Sequence, residues 1–198
     1  MEQPLDRQEV SYEAELHEAI RRTEQWGLEC PTFSFNAQRY LTNAFIGQIV
    51  KSAQRVSGHL RPSDIAGQCF AVHHFIKDAI EQDLGVPLLY TIGYVSFHST
   101  TAFHTDVDQL KSMLDRGQQI VGPLSLHAWL TMPSHEILDL TLGTTYGLAR
   151  GIEEVVGNAT FLHPSELKGT QRYRPQLVGT DFFRRIGAIL ALPNVKFG

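Results

Sequence analysis

An α+β fold is the class this sequence predicts, and three observations predict it. Apolar residues recur at helical spacing through the first third of the chain. From Leu88 the texture turns β-branched and aromatic, in "LLYTIGYVSF". Two alternating runs, "LSLHAWLT" and "HEILDLT", then flank a short "MPS" turn and read as an antiparallel hairpin. With 198 residues, 42% of them hydrophobic, the chain is long enough to bury one core, so a single domain is expected.

The elements follow in order. Leu5, Tyr12, Leu16, Ala19, Ile20 and Trp26 share a helical stripe that Gly27 ends, predicting a helix over 5–26. A second stripe runs through Tyr40, Leu41, Ala44, Phe45, Ile49, Ala53 and Val56 and stops at Gly58. Pro62, Ser63 and Asp64 are start signals and Gly85 a stop, predicting one helix across "RPSDIAGQCFAVHHFIKDAIEQDLG" with Cys69 in its first turns. A strand follows from Leu88, then a short helix near "DVDQLKSML" and the hairpin. Beyond it "GTTYGLARG" reads as loop, 152–156 as a short helix and 180–192 as another.

Composition excludes several function classes. The net charge is −4 and the Lys and Arg residues are scattered, so no phosphate-tracking surface and no nucleic-acid partner is expected. No window approaches the ~18 apolar residues of a membrane span. The N-terminal "MEQPLDRQEV" lacks the basic and then apolar run of a cleaved signal. A soluble protein is expected, cytoplasmic or secreted by a route without a cleaved signal peptide. Cys30 and Cys69 make no disulfide framework and are both read as reduced.

The hairpin carries the chemistry. With Met132, Pro133 and Ser134 as its loop, His127 faces Asp139 directly on one side of the ladder, at a Cβ separation of ~5 Å. An imidazole held by a carboxylate has a fixed tautomer and a stabilised protonated form, which suits it to take a proton from a thiol. Cys69 is the available thiol, and a position near a helix N-terminus favours its thiolate.

These residues also carry a resemblance. "GQCF" resembles the "GQCW" at the nucleophile of transglutaminases, "HAW" resembles the His-x-Trp of their base strand, and "ILDLT" is similar to the "LDxT" that carries their aspartate. "LGVPLLYTIGYV" looks like the helix end and following strand of the wider transglutaminase-like superfamily. The resemblance covers residues 63 to 145, with the motifs in the family's order. It implies a papain-like core, a catalytic helix packed on an antiparallel sheet, with 1–60 as a helical N-terminal lobe, 61–145 as the catalytic core and 146–198 as a C-terminal extension. It further implies that Cys69 forms an acyl-thioester, that His127 is the general base and acid, and that Asp139 orients it. Phe70 departs from the family's tryptophan, the chain is too short for the β domains of animal transglutaminases, and no loop has calcium-ligand spacing. A small microbial-type relative fits better than a calcium-activated crosslinker.

The function expected is cysteine-dependent acyl transfer from a carboxamide, either a Gln side chain or a peptide amide. With water as acceptor the protein is a deamidase, amidase or peptidase; with a primary amine, a transglutaminase. A protein or peptide is the expected substrate, and neither cofactor nor metal is expected. The competing class is a non-catalytic binding or scaffold module on the same fold. The backbone N–H of Cys69 is the natural oxyanion donor. A second donor is left open among Gln68, Gln48, Trp26 and Asn43, and Gln68 and Trp129 are the expected lining of the substrate site. Trp129 either covers the imidazole or packs in the core. His73 and His74 read as packing or surface residues, Cys30 as structural, His135 as a solvent-facing turn residue, and Asp106 and Asp108 as a solvated turn. His98 and His104 lack the further ligands that zinc needs.

Overall fold

A left-handed glycine decides where the thiol sits. The single helix expected from Pro62 to Leu84 is two, α3 (Pro62–Ile65) and α4 (Cys69–Leu84), separated at Ala66–Gln68 by Gly67 with φ of 72°. Cys69 is therefore the first residue of α4, and its N–H is among the helix's unpaired N-terminal donors. The computed structural model describes residues 10–58, 60–97, 100–117 and 124–188. Leu5, His98 and the end of the expected C-terminal helix lie outside those residues.

The fold is α+β, built on a curled antiparallel sheet. The strands are β1 (Leu89–Phe97), β2 (Thr100–Ala102), β3 (His127–Thr131), β4 (Ile137–Asp139), β5 (Thr160–Leu162) and β6 (Arg172–Val178). The path runs β2-β1-β3-β4-β5, and β6 pairs with the other side of β1. β1 is thus the central strand, and its first five residues are wholly buried. Gly93 lets β6 approach, since a Cβ there would lie 2.0 Å from the Arg174 carbonyl oxygen.

Alternation along the strands sorts the two cores. Tyr90, Ile92, Ala128, Leu130, Leu138 and Leu177 face α4, which presents Val72, Ile76 and Ile80. α2 (Asn43–Ser57), capped by the Thr42 side chain, adds Ile49 and Ala53 to this core. Leu89, Val95, Trp129, Ile137 and Tyr173 face the opposite way, toward Tyr12, Leu16 and Ala19 of α1 (Tyr12–Gln25), whose start is capped by Ser11. Of the two N-terminal helices, α1 packs on one face of the sheet, while α2 packs on α4, the helix that covers the other. From the C-terminal segment, β6 completes the sheet against β1.

Three other elements differ from expectation. "GTTYGLARG" is not loop but belongs to α6 (Leu142–Arg150), where Gly143 and Gly147 let the backbone of residues 152–158 approach too closely for a Cβ. Residues 153–155 form one 3-10 turn. β6 escaped the sequence reading because Pro175 cannot donate to a ladder; it is tolerated on this edge strand. The hairpin loop is Pro133–Ser134–His135, one residue later than expected: Met132 N–H donates to the Glu136 carbonyl, and His135 takes φ of 66°. Leu130 consequently pairs with Leu138, so His127 and Asp139 are diagonal and not directly opposed. The slip is by two residues, so both stay on one face, where a slip of one would have separated them. α5 (Val107–Arg116) matches the expected short helix, with Asp106 as its N-cap and not as a free turn. α7 spans Asp181–Arg185. Among the described residues no helix is long and apolar enough to cross a membrane.

Candidate active site

Cys69 and His127 meet at one end of the sheet. β3 begins at His127, and the Cys69 Sγ lies 4.0 Å from the carbonyl oxygen of Leu126, the residue before it. Both side chains line a pocket of about 310 Å³. They are buried, with 6% of Cys69 and 1% of His127 exposed, and the thiol faces that pocket.

Asp139 fixes the imidazole. His127 Nε2 lies 2.6 Å from Asp139 Oδ2, which leaves Nδ1 for the thiol. Burial pulls the imidazole pKa down, but the Asp139 carboxylate, the Cys69 sulfur and the hydrogen bonds to both outweigh it, and His127 stands above its ordinary value. The arrangement favours a protonated imidazole beside the Cys69 sulfur.

The carboxylate is itself saturated. Oδ2 also accepts from the Tyr173 hydroxyl at 2.9 Å. Oδ1 accepts from the Thr141 and Leu142 N–H groups at 2.9 and 3.0 Å and from the Thr141 hydroxyl at 3.2 Å. Those two N–H groups stand at the start of α6, so a helix N-terminus adds its partial positive charge. Burial alone would raise the Asp139 pKa; His127 and these donors hold it well below the usual carboxylate range.

His73 is more than packing. One turn after Cys69 and fully buried, its Nδ1 is 2.9 Å from the Cys69 carbonyl oxygen, while Nε2 lies 3.1 Å from the Leu140 N–H. A backbone N–H can only donate, so Nε2 is bare and Nδ1 carries the proton: this histidine is neutral. Burial pushes its pKa down to about 4. It ties the first turn of the thiol's helix to the strand end that carries Asp139.

The expected lining residues lie elsewhere. Trp129 is completely buried in the α1-side core, where its Nε1 donates to the Tyr12 hydroxyl at 2.9 Å. Its ring lies 6.0 Å from the imidazole at 27°, so it backs His127 from the core and does not line the pocket. Gln68 precedes α4 but its side chain makes no capping bond and lines no part of the pocket. Trp26, Asn43 and Gln48 are likewise not at it. Phe70, Phe103, Leu124 and Leu126 form its walls instead, with the Thr145 hydroxyl at the rim accepting from the Gly67 N–H. Of these walls Phe70 lies inside "GQCF", whereas no local signal marked Phe103; Thr141, which supports Asp139, lies inside "ILDLT".

The remaining candidates take other roles. His135 is not in solvent but half-buried, stacked on Phe35 at 4.5 Å and 6°. His104 packs on Tyr94 at 4.4 Å, and Cys30 is free. Among the described residues no group of three or more His, Cys, Asp or Glu could hold a metal ion. No protein family, curated protein or solved structure matches this chain.

Proposed function

We propose that the protein is a cysteine-dependent acyl-transfer enzyme acting on a carboxamide, with a transglutaminase-like, papain-like core. One observation carries the reading: a thiol at the first residue of a helix shares a pocket with an imidazole whose far nitrogen is held at 2.6 Å by a buried, fully hydrogen-bonded carboxylate. A thiol helix packed on an antiparallel sheet that supplies the His and the Asp supports the same reading.

The steps balance on these residues. The Cys69 proton passes to His127 Nδ1 and the thiolate adds to the amide carbonyl carbon, forming the C–S bond. The Cys69 N–H, at the positive end of α4, is placed to stabilise the oxyanion. The C–N bond then breaks as His127 returns the proton to the leaving nitrogen, and ammonia or an amine departs from the thioester. An incoming water or primary amine gives His127 a proton, attacks the thioester carbonyl, and the C–S bond breaks to regenerate the thiolate.

Mass spectrometry of Gln-containing peptides and casein, incubated under reducing conditions with and without a primary amine, tests this. Deamidation, cleavage or amine incorporation that disappears in Cys69→Ala is the expected result. A Cys69 that iodoacetamide labels no faster than Cys30 at pH 6 would overturn it.

A further inference from the structure

We propose that the pocket beside Cys69 is the subsite for an apolar acyl group, aromatic or branched aliphatic, of the substrate that acylates the thiol. The proposal rests on the acyl-transfer reading and narrows it: the amide attacked is one preceded by such a group.

The walls carry the argument. Phe70, Phe103, Leu124 and Leu126 surround the thiol, and among the described residues no charged side chain other than the imidazole lines the space. A charged acyl group would lose its hydration there and find no partner. The volume of about 310 Å³ is at the small end for ligand pockets, room for one acyl group or side chain and not for a run of peptide.

Two walls are fixed in place, which gives the pocket a shape and not only a polarity. The Phe70 ring packs on Phe183 of α7 at 4.5 Å, and the Tyr90 hydroxyl donates to the Phe70 carbonyl at 2.9 Å. Phe103 adopts φ of 61°, a backbone region that favours glycine, and its ring lies 5.5 Å from the His127 ring at 27°. The neighbouring Thr105 holds this segment: its hydroxyl donates to the Ser125 carbonyl at 2.8 Å, and its own carbonyl accepts from Gln176 Nε2 at 2.8 Å. An unfavourable backbone conformation so anchored, at a ring that covers the imidazole, is strain retained at a functional wall.

Acylation of the intact protein by p-nitrophenyl esters isolates this subsite, because the Cys69–carbonyl bond forms as nitrophenolate leaves. Rates with the phenylacetate, isovalerate, hemisuccinate and 6-aminohexanoate esters, each divided by the rate with N-acetylcysteine, are followed by intact mass. The expected result is at least a tenfold preference for the two apolar esters, falling at least threefold in Phe103→Gly, which keeps the backbone free to adopt its angle, and in Leu124→Arg. Four normalised rates within twofold of one another, or a preference that neither variant alters, would overturn the subsite. Iodoacetamide labelling of Cys69 run in parallel separates the two failures: rapid labelling without ester preference removes the subsite alone, and no rapid labelling removes the acyl-transfer reading with it.

Discussion

His73 and Asp139 approach to 3.7 Å with both side chains wholly buried, yet they form no ion pair, because the Leu140 N–H occupies the imidazole nitrogen nearer the carboxylate. Asp139 thus has one charged histidine neighbour and one neutral one. The protonated imidazole is the one at the pocket; the neutral one braces the scaffold behind it.

That neutrality makes stability depend on pH with a definite sign. His73 is neutral in the fold down to about pH 4 but binds a proton near 6.5 once unfolded. Its contribution is complete above 6.5 and is lost as pH falls toward 4, amounting to about 3 kcal/mol over that window. Asp139, whose pKa is depressed, adds its loss only below the ordinary carboxylate range. Urea denaturation at pH 7 and pH 4.5 should show the fall, and His73→Gln should flatten it. An unchanged slope in the variant would mean that His73 is not the group responsible.

Removing the tether altogether should also be costly. His73→Ala leaves the Leu140 N–H without its partner in a dry interior, removes the imidazole's bond to the Cys69 carbonyl and opens a cavity, for a loss of about 3 kcal/mol. Tyr173→Phe removes one of five hydrogen bonds to Asp139 and should cost about 2 kcal/mol, with roughly tenfold slower acylation of Cys69. Denaturation midpoints and acylation rates measured on the same samples would reveal whether the two effects travel together.

The hairpin explains how much of the site was legible in the sequence. Strand alternation puts His127 and Asp139 on one face by parity alone, so an error of two in register left their pairing intact. What was illegible depended on contacts distant in sequence. Tyr173 reaches Asp139 from a strand disguised by Pro175, and Phe103 reaches the pocket from a loop. Trp129 could cover the imidazole or pack in the core by its sequence; where α1 docks decides between them, and no local pattern reports docking. The break at Gly67 was hidden for a different reason: Pro62, Ser63 and Asp64 are valid start signals for the short α3, and nothing nearby marks Gln68 as a second start.

Two glycines of the same type should respond oppositely to alanine. At Gly93 the new methyl would meet the Arg174 carbonyl oxygen at 2.0 Å and the Trp129 ring at 3.0 Å, so Gly93→Ala must part β1 from β6 and should cost about 3 kcal/mol or more. Gly47 lies inside α2 with open space around it, and Gly47→Ala should stabilise the protein by roughly 0.5–1 kcal/mol through helix propensity. Thermal melts of the two variants beside the parent would decide this, and equal shifts would place the β1–β6 approach in doubt.

Asp139→Asn separates charge from shape at the centre of the site. The asparagine keeps the volume but brings an amide donor into a space where Tyr173, Thr141, Leu142 and His127 all already donate. At least one of those donors must lose its acceptor, so stability should fall by about 3 kcal/mol. At the imidazole, if the amide group turns toward Nε2, the proton moves to Nδ1 and the nitrogen facing the thiol can no longer accept from it, as when a triad aspartate is neutralised. Acylation of Cys69 should then slow roughly 10³-fold at pH 7 while the folded fraction, checked by near-ultraviolet circular dichroism, remains high. Because the Cys69 proton would have to pass to solvent hydroxide, the remaining rate should climb with pH and recover part of the loss. A variant that is folded and slow at every pH would instead mean that the carboxylate acts on the geometry of the pocket and not on the proton.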